Sequence, residues 1–149
     1  MIRSLALIAL AAFGSACGPS MPEGSTSIEL LSGELRRVEG TREATLLAFW
    51  STTCANCVRE IPELAELHEH SERIEVVGVN IGDSERRIDA FLEKRDVPYP
   101  IARDPNHELA RRYGVEAVPT LVLVDSSGET RFLDHALPEE PAELEQLLP

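Results

Sequence analysis

Two cysteines, Cys54 and Cys57, stand three residues apart directly after an apolar run that ends at Trp50. If a helix begins at the first of them, the positive end of the helix dipole stabilises a thiolate there. The two sulfurs could then open and close a very small disulfide ring. This spacing is typical of thiol–disulfide exchange, and it also supplies half of a zinc site, which needs three or four ligands.

The nearest other candidate zinc ligands are His68 and His70, at the far end of the helix predicted to follow the cysteines. At 1.5 Å of rise per residue, that end lies roughly 15–20 Å from the helix start. We therefore expect the two histidines to be solvated residues of the last helical turn, where a cationic side chain is favourable. The sequence predicts no metal site.

The composition excludes two kinds of partner. The chain has 149 residues and a formal net charge of −12 at pH 7, and its only lysine is Lys94. Without a basic cluster to neutralise phosphates, we expect no nucleic-acid binding. Attraction to an anionic membrane by charge alone is excluded for the same reason.

The N-terminus is typical of an export signal, with Arg3 before a short apolar segment over residues 5–13 and small residues at 14–16. Small residues followed at once by Cys17 resemble a bacterial lipobox, in which the cysteine is lipidated on its sulfur and becomes the mature N-terminus. The alternative is ordinary cleavage after Ala16, which would leave a free thiol. One lipidated cysteine and one redox pair would account for all three cysteines.

Three segments are predicted. Residues 1–17 form the signal peptide with its lipobox-like end, residues 18–27 form a flexible tether rich in Gly, Pro and Ser, and residues 28–149 form one folded domain.

Within the domain, short apolar runs alternate with helical patterns, which predicts an α/β fold with a central sheet flanked by helices. One helix begins at Asp104, with the cap before Pro105, and stops at Gly114. Another is capped by Ser84. The remaining predicted elements are a hairpin over 28–38, strands at 45–50, 74–80, 120–125 and 129–134, and helices at 55–70, 84–95 and 141–148.

One pattern, W-x-x-x-C-x-x-C-x-x-E-x-P, resembles the thioredoxin superfamily and, within it, the exported TlpA/ResA-like thiol–disulfide oxidoreductases. The order of elements is similar, as is an extra strand–helix segment around 81–102 and the stretch Y-G-V-x-x-x-P-T over 113–120. The resemblance covers residues 28–148 and implies a thioredoxin-like fold with a central mixed β-sheet. The residues that match the first pattern are Trp50, Cys54, Cys57, Glu60 and Pro62.

The resemblance implies a role for each residue around the pair. Cys54 would be the exposed nucleophile that attacks a substrate disulfide, and Cys57 would resolve the mixed disulfide. Glu60 would be a buried carboxyl that exchanges a proton with Cys57. The disulfide between the two cysteines would be the redox group, with no further cofactor and no metal.

The resemblance also implies a substrate-binding edge. Pro119 resembles the family's cis-proline, which exposes the backbone of Val118 to an extended substrate segment. Trp50 is assigned to the same substrate-binding region. The chain departs from its relatives at Val118, where threonine is common, at Thr53, where tryptophan is common, and at Ala55-Asn56, which lacks their proline.

The predicted function is that of an envelope oxidoreductase, lipid-anchored through Cys17, monomeric and facing the periplasm. It would exchange disulfides with protein substrates and receive electrons from a membrane thiol–disulfide donor. The reductant role is favoured by analogy with cytochrome c maturation.

Three alternatives stay open: a soluble periplasmic protein, a thiol peroxidase, and a copper or zinc chaperone that binds metal through the two cysteines. For the peroxidase, Ser51 could supply the hydroxyl before the reactive cysteine, but Leu47 stands where a proline is needed.

Overall fold

The computed structural model describes residues 25–40 and 42–149, so the predicted signal peptide and most of the tether lie outside the described residues. The domain begins earlier than the predicted residue 28. Strand β1 (Ser27–Glu29) starts one residue before it. Thr26 is buried, and its backbone N–H donates to Glu39 Oε1 at 2.8 Å. The last residues assigned to the tether are therefore part of the fold.

The predicted N-terminal hairpin is confirmed. Strand β2 (Leu35–Arg37) pairs with β1 in antiparallel register. Arg36 of β2 forms an ion pair with the buried Glu75 of the central sheet, which ties the hairpin to the domain.

The centre of the domain is a mixed sheet of five strands in the order β5-β4-β3-β6-β7. Strand β3 pairs in parallel with β4 and in antiparallel with β6. Apolar runs predicted the three inner strands because those strands are covered on both faces. The strands are β3 (Ala44–Trp50), β4 (Ile74–Ile81), β5 (Ile101–Asp104), β6 (Thr120–Asp125) and β7 (Thr130–Asp134).

In the described part of the chain, four helices accompany the sheet: α1 (Ala55–His70), α2 (Glu85–Leu92), α3 (Glu108–Arg112) and α4 (Glu143–Gln146). Helix α1 has the predicted bounds and contains Pro62. Helices α2 and α4 are shorter than predicted. Ser84 occupies the N-cap of α2, but its hydroxyl makes no capping hydrogen bond. No described helix is both long and apolar enough to cross a membrane.

The predicted start of α3 at Asp104 is wrong, because Asp104 ends β5 and the helix begins four residues later. The N-cap of α3 is His107, in a left-handed conformation with φ 56°. The Asp104 carboxylate nevertheless caps the helix from the strand, accepting the N–H groups of Glu108 at 2.8 Å, Leu109 at 3.2 Å and Ala110 at 2.8 Å. It thereby satisfies helix donors that have no partner within the helix.

Successive residues of β3 face opposite sides of the sheet. Leu46, Ala48 and Trp50 pack in one apolar cluster with residues of α1 and α2, whereas Leu47 and Phe49 pack in a second cluster with residues of α3. The carboxyl end of β3 therefore leads into the turn before α1, and the side chains beneath that turn are buried and apolar.

Candidate active site

The turn after β3 places Cys54 at the N-cap of α1, with φ −84° and ψ 100°. Its Sγ accepts the backbone N–H of Cys57 at 3.1 Å. The exposed amide groups and the dipole of a helix N-terminus stabilise negative charge, so this sulfur is the one favoured to become a thiolate.

The structure joins Cys54 and Cys57 in the predicted disulfide, with the two Cα atoms 5.3 Å apart. The two sulfurs differ in access, because Cys57 is only 5% exposed whereas Cys54 is partly exposed. An incoming thiol or disulfide can therefore reach Cys54 first.

A small, mostly apolar pocket lies on the inner side of the disulfide, and its lining includes Cys57, Glu60, Tyr99 and Pro119. Glu60 is half-buried, one turn of α1 beyond Cys57. Burial raises the pKa of Glu60, the nearby charge of Glu63 raises it further, and Arg59 acts in the opposite direction. A carboxyl with a raised pKa beside a buried thiol is suited to proton exchange near neutral pH. Its acid–base role stays a prediction.

Trp50 is buried at the end of β3. Its side chain lines the same pocket, is 8% exposed, and lies with its ring centroid 4.9 Å from that of Phe91. Its Nε1 is buried and has no hydrogen-bond partner among the residues that the structure describes. The side chain of Trp50 thus packs on the α1 side of the sheet and forms an inner wall of the pocket. Its substrate-binding role stays a prediction.

The loop before β6 also lines the pocket, together with residues of α1. The bond between Val118 and Pro119 is cis, and Pro119 lines the pocket. His135 Nδ1 lies 2.9 Å from the carbonyl oxygen of Pro119 and 3.1 Å from Thr120 Oγ1. Since a carbonyl oxygen only accepts, Nδ1 of His135 carries a proton and donates it to the loop. Thr120 Oγ1 in turn donates to Ala117 O at 2.7 Å.

The sequence model of the AhpC/TSA family matches residues 28–132 of this chain. The chain belongs to the AhpC/TSA family.

Curated relatives point to one class of enzyme within this AhpC/TSA assignment. The chain is 30% identical over 118 residues to the thiol-disulfide oxidoreductase ResA of Geobacillus thermodenitrificans, covering 78% of this chain and 67% of that protein. It is 31% identical over 98 residues to ResA of Bacillus subtilis, covering 64% of this chain and 54% of that protein. The chain thus spans about half to two thirds of the length of these relatives. The predicted class, a thioredoxin-like thiol–disulfide oxidoreductase, is confirmed.

Solved structures confirm the predicted thioredoxin-like fold. The exposed lipoprotein thioredoxin Etrx1 of Streptococcus pneumoniae superposes with a TM-score of 0.71 at 22% identity, covering 83% of this chain and 97% of that chain. StoA of Bacillus subtilis superposes with a TM-score of 0.71 at 22% identity, covering 87% and 98%.

Tyr99 and His135 are among the residues of this AhpC/TSA site that sequence patterns missed. Tyr99, 6% exposed, lines the pocket; burial raises the pKa of Tyr99, and the charge of Glu60 raises it further, so its hydroxyl stays protonated. His135 contacts the Pro119 loop. Neither has a local signal, because each reaches the site from a distant part of the chain.

Of the two histidines of α1 that we expected to be solvated, only His70 is exposed. His68 is half-buried rather than solvated, and its Nδ1 accepts the N–H of Val76 at 3.3 Å. Burial lowers the pKa of His68, and the charge of Arg42 contributes to the same direction. His70 is exposed, as predicted. Within residues 25–40 and 42–149, no group of three or more His, Cys, Asp or Glu side chains is arranged to hold a metal ion.

Proposed function

We propose that the protein exchanges disulfides with protein substrates in the bacterial cell envelope, with Cys54 and Cys57 as its redox group and no further cofactor. The observation that carries the proposal is the asymmetric pair: a partly exposed Cys54 at the N-cap of α1, bonded to a buried Cys57 that shares a pocket with Glu60.

The favoured direction is reduction of the substrate. The Cys54 thiolate attacks one sulfur of a substrate disulfide, that disulfide breaks, and the released substrate thiolate takes up a proton. Glu60 then accepts the proton of Cys57, and the Cys57 thiolate attacks Cys54 Sγ. This step breaks the mixed disulfide, frees the second substrate sulfur as a thiolate that is protonated in turn, and leaves the Cys54–Cys57 disulfide. Two electrons have passed to the substrate.

A membrane thiol–disulfide donor would restore the dithiol by the reverse sequence of exchanges. We place the reductant role in a process like cytochrome c maturation, by analogy with the TlpA/ResA-like group. The analogy is supported by the similarity to proteins named ResA.

Disulfide reduction and peroxide consumption, measured side by side on the wild-type protein, test the proposed activity. We expect catalysed reduction of insulin disulfides by a small dithiol, and peroxide consumption no faster than that of a Cys54→Ser control. A peroxidase rate that exceeds the disulfide-exchange rate would overturn the proposal in favour of the peroxidase alternative.

We further propose that the mature protein is a monomer that faces the periplasm, tethered to the membrane by a lipid on Cys17. The sequence around Cys17 supports the anchor, and Etrx1, similar in fold, is itself described as an exposed lipoprotein. A tether would raise the effective concentration of the domain toward a membrane-bound electron donor.

Fractionation of cells that express the full chain tests the anchor. Wild-type protein should be recovered with membranes and should partition into detergent, whereas Cys17→Ser should lose the lipid and leave the detergent phase. Wild-type protein found in the soluble periplasmic fraction with a free thiol at position 17 would contradict the proposal and favour the soluble alternative.

A further inference from the structure

A partly buried polar contact joins the loop before Cys54 to the loop after β4. Asp83, 9% exposed, lies between β4 and α2. Its Oδ2 accepts the backbone N–H of Thr52 at 2.7 Å, and its Oδ1 accepts the Thr52 hydroxyl at 2.9 Å. Thr52 is two residues before Cys54. One carboxylate therefore binds both the backbone and the side chain of the segment that leads to the nucleophile.

The carboxylate is itself held in place by its surroundings. Asn80, 1% exposed, donates from Nδ2 to Asp83 Oδ2 at 3.0 Å and accepts the Asp83 N–H at 3.2 Å. Arg87 of α2 lies 3.5 Å from Asp83 Oδ1. Burial acts to raise the pKa of Asp83, but the hydrogen bonds from Thr52 and Asn80 and the charge of Arg87 outweigh it, and the pKa lies below its usual value. Asp83 is therefore ionised, and so a double acceptor, throughout the pH range of thiol chemistry.

The contact between Asp83 and Thr52 has a larger effect on the position of the Cys54 sulfur in the dithiol form than in the disulfide form. In the disulfide form, the covalent bond to Cys57 holds the Cys54 sulfur whatever the loop does. In the dithiol form that covalent constraint is gone, so the backbone of residues 51–54 has a larger share in keeping the sulfur at the N-terminus of α1. There the Cys57 N–H and the helix dipole stabilise the thiolate. The turn from Ser51 O to Cys54 N–H, at 3.1 Å, passes directly through Thr52.

We propose that Asp83 is a positioning residue for thiol–disulfide exchange, which holds Cys54 at the start of α1 through Thr52 and so stabilises the dithiol form relative to the disulfide. The inference rests on the proposed function. Loss of the contact should raise the pKa of the Cys54 thiol and make the pair harder to reduce. A simple charge effect has the opposite sign, because removal of a nearby negative charge lowers the pKa of a thiol.

Two variants separate these effects. Asp83→Asn removes the charge and one acceptor, and Thr52→Val removes one hydroxyl donor while keeping the charge of Asp83. Asp89→Asn is the matched control, because Asp89 is exposed on α2 and outside the network. For each variant, the equilibrium with glutathione and the pH profile of Cys54 alkylation are measured against the wild-type domain.

We expect both Asp83→Asn and Thr52→Val to shift the glutathione equilibrium toward the disulfide by about two- to tenfold, the range of one net hydrogen bond. A tenfold shift corresponds to about 30 mV in a two-electron potential. Both variants should also raise the pKa of the Cys54 thiol, and Asp89→Asn should change neither quantity.

Two results would overturn the inference. One is a lower Cys54 pKa in Asp83→Asn with no change in Thr52→Val, which would indicate charge rather than anchoring. The other is an equal loss of unfolding free energy in the oxidised and reduced forms of Thr52→Val with an unchanged glutathione equilibrium, which would indicate a structural role alone. Failure of the wild-type protein to exchange with glutathione or insulin would instead overturn the proposed function.

Discussion

A Cys57→Ala variant should accumulate as a covalent mixed disulfide between Cys54 and its protein substrates. The partly exposed Cys54 still attacks, but the buried sulfur that would release the substrate is gone. Attack by a neighbouring thiol within one molecule benefits from a large effective concentration. Its loss should therefore slow release of the substrate by at least about a hundredfold, and insulin reduction should fall with it.

Cys54→Ser is the matched control for the trap. It removes the nucleophile and leaves Cys57 only 5% exposed, so it should neither trap substrate nor turn it over. Non-reducing electrophoresis of cell-envelope extracts, followed by mass spectrometry of the bands released by dithiothreitol, measures both outcomes. Adducts joined through Cys57, or equal trapping by wild type and Cys57→Ala, would contradict the assigned order of attack.

Glu60→Gln should slow resolution of the mixed disulfide by roughly ten- to a hundredfold, at the lower end of general acid–base effects. The amide matches the carboxyl in size but cannot accept the proton of Cys57. The variant should also flatten the pH dependence of exchange between about pH 6 and 9, where perturbed carboxyl and thiol groups titrate. Rapid-mixing kinetics with a disulfide peptide measure both quantities.

The stability of the same variant provides an independent check. Burial raises the pKa of Glu60 in the folded protein, so the unfolded chain releases this proton first as pH rises. The free energy of unfolding therefore falls as pH rises from the ordinary pKa of a glutamate to the raised pKa of Glu60 in the folded protein. At higher pH the free energy of unfolding stays lower by that amount. At neutral pH, Glu60→Gln should have a free energy of unfolding no lower than that of wild type.

Glu66→Gln is the matched control for Glu60→Gln, because Glu66 is exposed on the same helix. It should resolve mixed disulfides at the wild-type rate. If Glu60→Gln also kept the wild-type rate and pH profile, the carboxyl would have no part in proton transfer.

The strongest local signals predicted the framework of the fold. Strands β3, β4 and β6 are mostly apolar because both of their faces are buried. The cysteine motif marked the start of α1. The start of α3 was wrong because Asp104 caps that helix from the end of β5, a contact that no local spacing predicts. Helix α4 covers only four of the eight residues predicted for it.

Some residues of the candidate site could be predicted from local sequence, and others could not. Cys54 is the N-cap of α1 and Cys57 and Glu60 lie in its first turns, so their spacing was sufficient to group them. Asp83, Tyr99 and His135 reach the site from other elements through tertiary packing, and no sequence pattern connects them to the cysteines. Trp50 belonged to the motif, but the burial of its side chain depends on which face of the sheet α1 covers, and the motif does not give that face.

Cys54 and Cys57 should form a reversible disulfide with one reactive sulfur. This is measured by equilibrating the domain in glutathione buffers of graded potential, quenching with a brief pulse of alkylating agent, and locating the label by mass spectrometry. We expect a single two-electron transition between the disulfide and the dithiol, with Cys54 alkylated much faster than Cys57 in the reduced protein. The absence of a transition across the whole range of buffers, or equal alkylation of the two cysteines, would contradict it.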